Sequence, residues 1–155
     1  MLSASLDLDP EAAIFSDRGT GGPPTRIYTS DSASTRRRER FAGKAEIVPV
    51  GLERNMPDLR TVLLDLASID VQSLLVEGGG ETFAAFMKAG IADRGALFYS
   101  NKLIGNDGST PMLAGAAVRE PALGWKLQRR DLLPLGNDFM LLGSFLRPGQ
   151  SSGGK

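Results

Sequence analysis

Apolar and polar positions alternate along this chain in two periods, one of strands and one of helices. Residues 25–29, Thr-Arg-Ile-Tyr-Thr, read as a strand. Ser34 has the chemistry of a helix N-cap, residues 35–41 form a short basic helix, and Gly43 stops it. Residues 45–50 make a second strand ended by Pro49 and Gly51. Leu59, Val62, Leu63 and Leu66 follow the i, i+3, i+4, i+7 spacing of a helix with one buried face, and Pro57 with Asp58 starts it. Residues 73–76 are a continuous apolar run that reads as a strand. Glu77 and three glycines follow, then a helix over about 81–88 that Gly90 ends. Residues 96–99 form the next strand, and 105–111 are turn chemistry. Residues 125–133 pair with 139–145 as a closing hairpin across the turn 134–138.

Strand, helix and strand in succession call for parallel pairing, whereas a hairpin is antiparallel. The expected fold is therefore α/β, with a mixed β-sheet flanked by helices and a C-terminal antiparallel hairpin. A length of 155 residues fits one domain. We place that domain at 1–146 and expect 147–155, rich in Pro, Gly and Ser, to be a disordered tail.

Composition narrows the chemistry. Eighteen basic and eighteen acidic residues cancel, so no global field draws the chain to nucleic acid or to an anionic membrane. No apolar run is long enough to span a bilayer, and the start of the chain has no secretory signal, which makes a cytoplasmic location the expectation. There is no Cys and no His. Disulfides, thiolate nucleophiles, Ser-His-Asp triads and the usual zinc sites are excluded together. Chemistry must come from carboxylates, Lys, Arg, backbone groups or a borrowed cofactor, and no metal site is expected.

The most informative segment is Leu74-Leu75-Val76-Glu77-Gly78-Gly79-Gly80-Glu81-Thr82. A strand that turns through glycines into a helix leaves backbone N–H groups unpaired at the positive end of the helix dipole. That geometry suits a phosphate, although glycines also serve simply to make tight turns. Glu77 is placed to project at the carboxyl edge of the sheet, as a hydrogen-bond acceptor for a substrate or as a cap for the turn. Arg36, Arg37, Arg38 and Arg40 follow Thr29, Ser30 and Asp31 at another strand end. They suit the 2′-phosphate of a dinucleotide, or form only a solvated helix face.

These residues resemble a known family. The run above continues through Phe83-Ala84-Ala85-Phe86-Met87-Lys88-Ala89-Gly90-Ile91-Ala92-Asp93 and then Leu97-Phe98-Tyr99-Ser100-Asn101-Lys102-Leu103-Ile104-Gly105. It is similar to the reductase domain of the bacterial riboflavin-biosynthesis deaminase/reductase, where a Val-Glu-Gly-Gly turn, a helix ending in Ala-Gly-Leu-Val-Asp and a Pro-Lys-Leu-Leu-Gly segment occur in this order. Asn101 stands where the family usually has proline. Pro23-Pro24-Thr25-Arg26-Ile27-Tyr28-Thr29 and the closing hairpin extend the resemblance over most of the chain.

The resemblance implies a dihydrofolate reductase-like fold in which NADPH delivers hydride to the ribose carbon of 5-amino-6-(5-phosphoribosylamino)uracil, opening the sugar to a ribityl chain. It implies that Gly78, Gly79 and Gly80, with Glu81 and Thr82 in the same run, hold the cofactor. It further implies that Glu77 binds the pyrimidine and that Thr29 and Ser30 lie near the adenosine end. No catalytic residue is assigned. The family's first strand carries a Ser-Leu-Asp-Gly motif; here Ser5-Leu6-Asp7 precedes Leu8 and lies too close to Pro23 to be that strand. The expectation is that residues 2–15 are a later connecting segment and that roughly one-third of the family's domain lies outside this chain. Open strand edges would then favour a homo-oligomer. Two alternatives stand beside an active reductase: a non-catalytic remnant that binds a dinucleotide or phosphate, and an α/β oligomerisation module whose glycines are only structural.

Overall fold

The computed structural model describes residues 1–16, 23–105, 107–116, 118 and 120–146. The expected tail at 147–155 lies outside them. Internal contacts divide the chain into two compact units, Met1–Leu74 and Leu75–Lys155.

The first unit is built on a parallel strand pair. β1 (Thr25–Ser30) and β2 (Ala45–Val50) are in register from Thr25 opposite Ala45 to Ser30 opposite Val50, and α1 (Thr35–Glu39) lies in the crossover between them. Ile27, Tyr28, Ile47, Val48 and Val50 supply the branched and aromatic side chains that favour extended backbone. Alternation sends these side chains to opposite faces, and each face has a core. Ile27 packs with Leu6, Phe15 and Phe41; the rings of Phe15 and Phe41 meet edge-on at 5.2 Å. Tyr28 packs with Val50 and Val62. Burial on both faces is what a parallel pair requires.

A short hairpin follows, β3 (Leu52–Glu53) and β4 (Met56–Pro57), which the periodicity did not announce. Its central residues Arg54 and Asn55 both have positive φ, 51° and 66°, the signature of a tight two-residue turn. Asp58 then caps α2 (Leu59–Ser68), accepting from the N–H groups of Arg60 and Thr61. Residues 1–4 lie along β1: Tyr28 N–H donates to Met1 O, Ser3 N–H to Tyr28 O, and Ser30 N–H to Ala4 O. The segment expected to be a mere connection thus covers an edge of the pair and sets Leu6 into the core.

The second unit opens with α3 (Gly80–Ala89), which Gly90 terminates in the left-handed conformation at φ 65°. β5 (Arg94–Tyr99), β6 (Leu127–Leu135) and β7 (Asp138–Phe145) form an antiparallel sheet in the order β5-β7-β6. Leu135 pairs with Asp138, so the hairpin turn is Gly136-Asn137 alone, tighter than the expected 134–138. Gly136 at φ 64° makes that possible. Parallel and antiparallel pairing both occur, as expected of a mixed α/β fold, the former in the first unit and the latter in the second.

One expected strand is corrected. Residues 73–76 have no ladder partner among the described residues. Leu74 is exposed and Leu75 is 81% exposed. An apolar run becomes a strand only where a neighbour offers its own backbone N–H and C=O groups, and none does so here.

Candidate active site

The glycine turn predicted as a phosphate cradle stands at the start of the second unit's helix. Gly79 is the N-cap of α3, with φ −86° and ψ 175°, and no side chain caps the helix. The first amides of α3 therefore have no side-chain acceptor, at the end where the helix dipole favours negative charge. Gly78 and Gly79 are exposed. A Cβ at Gly79 would meet nothing within 4 Å, whereas one at Gly78 would touch the Thr82 side chain at 3.3 Å.

Gly80 differs. It is buried, and a Cβ there would lie 2.1 Å from the carbonyl oxygen of Pro111. Ala114 N–H donates to Gly80 O at 3.0 Å, and the Lys88 ammonium at the other end of the helix donates to Gly115 O. Gly80 thus lets the 111–115 segment close on α3, while the open face belongs to Gly78 and Gly79. Glu77 is exposed just before the turn, Glu81 is exposed in the first turn of the helix, and Thr82 is half-buried.

Thr29 and Ser30 belong to the first unit, at the carboxyl end of β1. Thr29 is fully buried and its hydroxyl donates to Ala4 O at 3.3 Å. Ser30, 7% exposed, accepts from Ser32 N–H at 3.1 Å and shares a 2.7 Å hydrogen bond with the Ser32 hydroxyl. Ser30 also lines a cleft of about 620 Å³ with Ser32, Ser34, Arg37, Leu52 and Asn55. Thr29 is thus a support and Ser30 a lining residue.

The arginine run divides in the same way. Arg38 donates to the carbonyl oxygens of Ala33, Ser30 and Asp31, which holds the loop after β1 in place. Arg37 donates one guanidinium N–H to Ser5 O at 2.7 Å and lines the cleft. Neither Leu52 nor Asn55 was legible as a lining residue. The turn that brings them there lacks the glycine that usually marks a tight hairpin.

Another group escaped the sequence. Arg26 bonds Glu46, directly opposite on β2, at 2.8 Å and also lies 2.9 Å from a carboxylate oxygen of Asp65 on α2. The Tyr28 hydroxyl donates to the same carboxylate at 2.7 Å. Burial, the hydrogen bond to Asp65 and the carboxylate's charge hold the Tyr28 phenol well above its ordinary pKa. The network fastens α2 to the parallel pair, and each of its bonded pairs spans twenty or more residues of sequence. Among the described residues no group of acidic side chains could hold a metal ion, and no helix is long and apolar enough to cross a membrane.

Two compact α/β units, a glycine-opened helix start and a hydroxyl-lined strand end define the class. Residues 1–141 match the family model of the RibD C-terminal domain, and the chain belongs to that family. It is 26% identical over 141 residues to the riboflavin biosynthesis protein RibD of Bacillus amyloliquefaciens, covering 91% of this chain and 37% of that protein. It is 25% identical over 118 residues to the 2,5-diamino-6-ribosylamino-4(3H)-pyrimidinone 5′-phosphate reductase of Methanothermobacter thermautotrophicus, covering 76% of this chain and 54% of that one. Among solved structures, RibD of Acinetobacter baumannii superposes with a TM-score of 0.70 at 17% identity, over 91% of this chain and 35% of that one. A pyrimidine reductase-like protein of Corynebacterium diphtheriae gives 0.72 at 17% identity, over 94% and 59%. The fold is the dihydrofolate reductase-like fold of these reductase domains, and the chain spans little more than a third of the Bacillus protein.

Proposed function

We propose that this chain is a pyrimidine reductase of riboflavin biosynthesis that uses NADPH to reduce 5-amino-6-(5-phosphoribosylamino)uracil to its ribitylamino product. The observation that carries the reading is the uncapped start of α3 behind the open Gly78-Gly79 backbone, in a chain of the RibD C-terminal domain family. When bound, NADPH supplies the hydride that adds to the ribose carbon. The protein's own groups bind and orient. The amides at the start of α3 donate to the cofactor's phosphates, with Gly78 and Gly79 leaving room for them. Glu77 accepts hydrogen bonds from ring N–H groups of the pyrimidine. Ser30, Ser32 and Arg37 meet the phosphorylated adenosine end, Arg37 as the cation that distinguishes a 2′-phosphate from a bare hydroxyl. Arg38, committed to three carbonyls, fixes the loop. No residue is assigned as the general acid, the chain having no histidine or cysteine.

NADPH oxidation in the presence of the aminouracil ribotide tests this, and the expected outcome is stoichiometric ribitylamino product. A second reading, dinucleotide binding without turnover, is favoured by the unpaired backbone at 73–76; it predicts NADPH binding and no product. We further propose that the chain acts in the cytoplasm as a homo-oligomer, since β5 and β6 each have one edge without a partner among the described residues. A monodisperse monomer by light scattering contradicts that assembly.

A further inference from the structure

We propose that the free edge of β5 pairs antiparallel with β5 of a second copy of this chain, centred on Leu97, so that the second unit's sheet continues through a two-fold axis. The inference rests on the reading of the chain as a homo-oligomer, and it says which edge joins the copies and in what register.

The antiparallel sheet ends in two edges that are built differently. β6 carries the features that keep an edge from pairing: a register irregularity between Gln128 and Asp131, exposed charges at Arg130 and Asp131, and Pro134, which has no N–H to offer. β5 carries none of them. Its ladder with β7 is unbroken from Arg94 to Tyr99, and after Arg94 its residues are uncharged and include no proline. No other strand bonds its outer side among the described residues. Phe98 is 70% exposed, a large apolar side chain on an edge with nothing to protect it.

The strand also complements itself, which is why the occupant is a second copy. Identical antiparallel neighbours are related by a two-fold axis normal to the sheet, and that axis sets each residue opposite one that points to the same face. With the axis at Leu97, the exposed Ala96 of one copy lies opposite Phe98 of the other, and Gly95 lies opposite Tyr99, each pairing occurring twice. Small meets large in both. Phe98 gains a neighbour that leaves room for its ring, and Tyr99, already stacked on Phe139 at 4.9 Å, meets no opposing side chain. The two Arg94 guanidiniums fall at opposite ends of the new ladder, so like charges stay apart. Six residues a side are fewer than the roughly twenty to thirty of a standard interface, so the dimer is a reversible one that dilution takes apart.

Sedimentation velocity of the full chain over a range of concentrations tests the inference, and the parent is expected to pass from monomer to dimer as concentration rises. Phe98→Lys and Ala96→Glu are each expected to weaken the dimer about tenfold or more, because the loss is felt at two symmetric places. Combining the two substitutions is expected to restore dimerisation, since carboxylate and ammonium then face each other between the copies. Leu132→Lys, at a similarly exposed position on β6, is expected to leave the dimer at parent strength. In the parent itself, alternate β5 amides are expected to gain protection from hydrogen exchange as concentration rises, a readout that needs no substitution. Its absence overturns the pairing even where a variant fails to fold. A dimer that ignores both single substitutions overturns the β5 edge and leaves the homo-oligomer reading standing, and loss without recovery in the double variant overturns the register. A parent that stays monomeric at every concentration ends both.

Discussion

Gly79 and Gly80 are neighbours with opposite constraints, and a substitution distinguishes them. A Cβ at Gly80 would strike Pro111 O at 2.1 Å, so Gly80→Ala is expected to destabilise the fold by about 2–3 kcal/mol, the range of overpacking in a closed site. Gly79 has an ordinary φ and open space around it, so Gly79→Ala is expected to leave the melting temperature in place and to weaken NADPH by obstructing its phosphates. Thermal melts paired with NADPH titrations of the two variants check this. The sequence displayed the glycine run, but the segment that closes on Gly80 lies some thirty residues downstream, beyond any local motif. Tyr28 and Asp65 were invisible for the same reason. Because the fold raises the Tyr28 pKa above the unfolded value of 10.0, the contribution is complete below pH 10 and is lost as pH rises beyond it. Tyr28→Phe is expected to cost about 1–2 kcal/mol at neutral pH and to flatten the decline of stability on the alkaline side, measured by denaturant melts from pH 8 to 11.

Elements whose signals are local were the legible ones. β2 formed over the predicted residues because its branched side chains face two buried surfaces, and α2 began where Asp58 offers its carboxylate. Hydrogen bonds from Thr61 and from the Arg60 amide hold the Asp58 carboxyl below its usual range. The cap is therefore expected to weaken as pH falls through that lowered pKa, and Asp58→Asn, which keeps an acceptor, to remove this acid dependence from the melting curve. Residues 73–76 failed as a strand because periodicity reports an apolar run and not the neighbour that would pair with it. The β3–β4 hairpin was missed because its turn uses Arg54 and Asn55. Within the antiparallel sheet Gly95 faces Gly143, and added Cβ atoms would lie 2.6 Å from the Phe145 ring and 2.4 Å from Leu127. The pair is a notch that two large side chains fill. Gly95→Ala is expected to destabilise by about 1–3 kcal/mol, seen as a lower denaturation midpoint with an unchanged slope.

At the scale of the molecule, the α/β class, both pairing senses and the closing hairpin followed from the sequence, and the family resemblance agreed with the match over residues 1–141. Which faces of the β1 end and of the α3 start stay open did not, because that depends on loops packed from far away in the chain. The first unit carries the hydroxyl-lined cleft, and the second carries the glycine-opened helix start. Hydrogen exchange is expected to be fast at Leu74 and Leu75, which have no ladder, and slowest in β7, which is paired on both sides. The central claim is that the α3 amides hold a dinucleotide's phosphates, and calorimetric titration of NADPH into the parent chain and Gly79→Asp tests it most directly. Saturable binding by the parent is predicted, weakened about tenfold or more by a carboxylate that occupies the α3 amides and repels the phosphates, with a melting temperature equal to or above the parent's because the new side chain caps the helix. Equal binding by the two chains, or none by the parent, contradicts it.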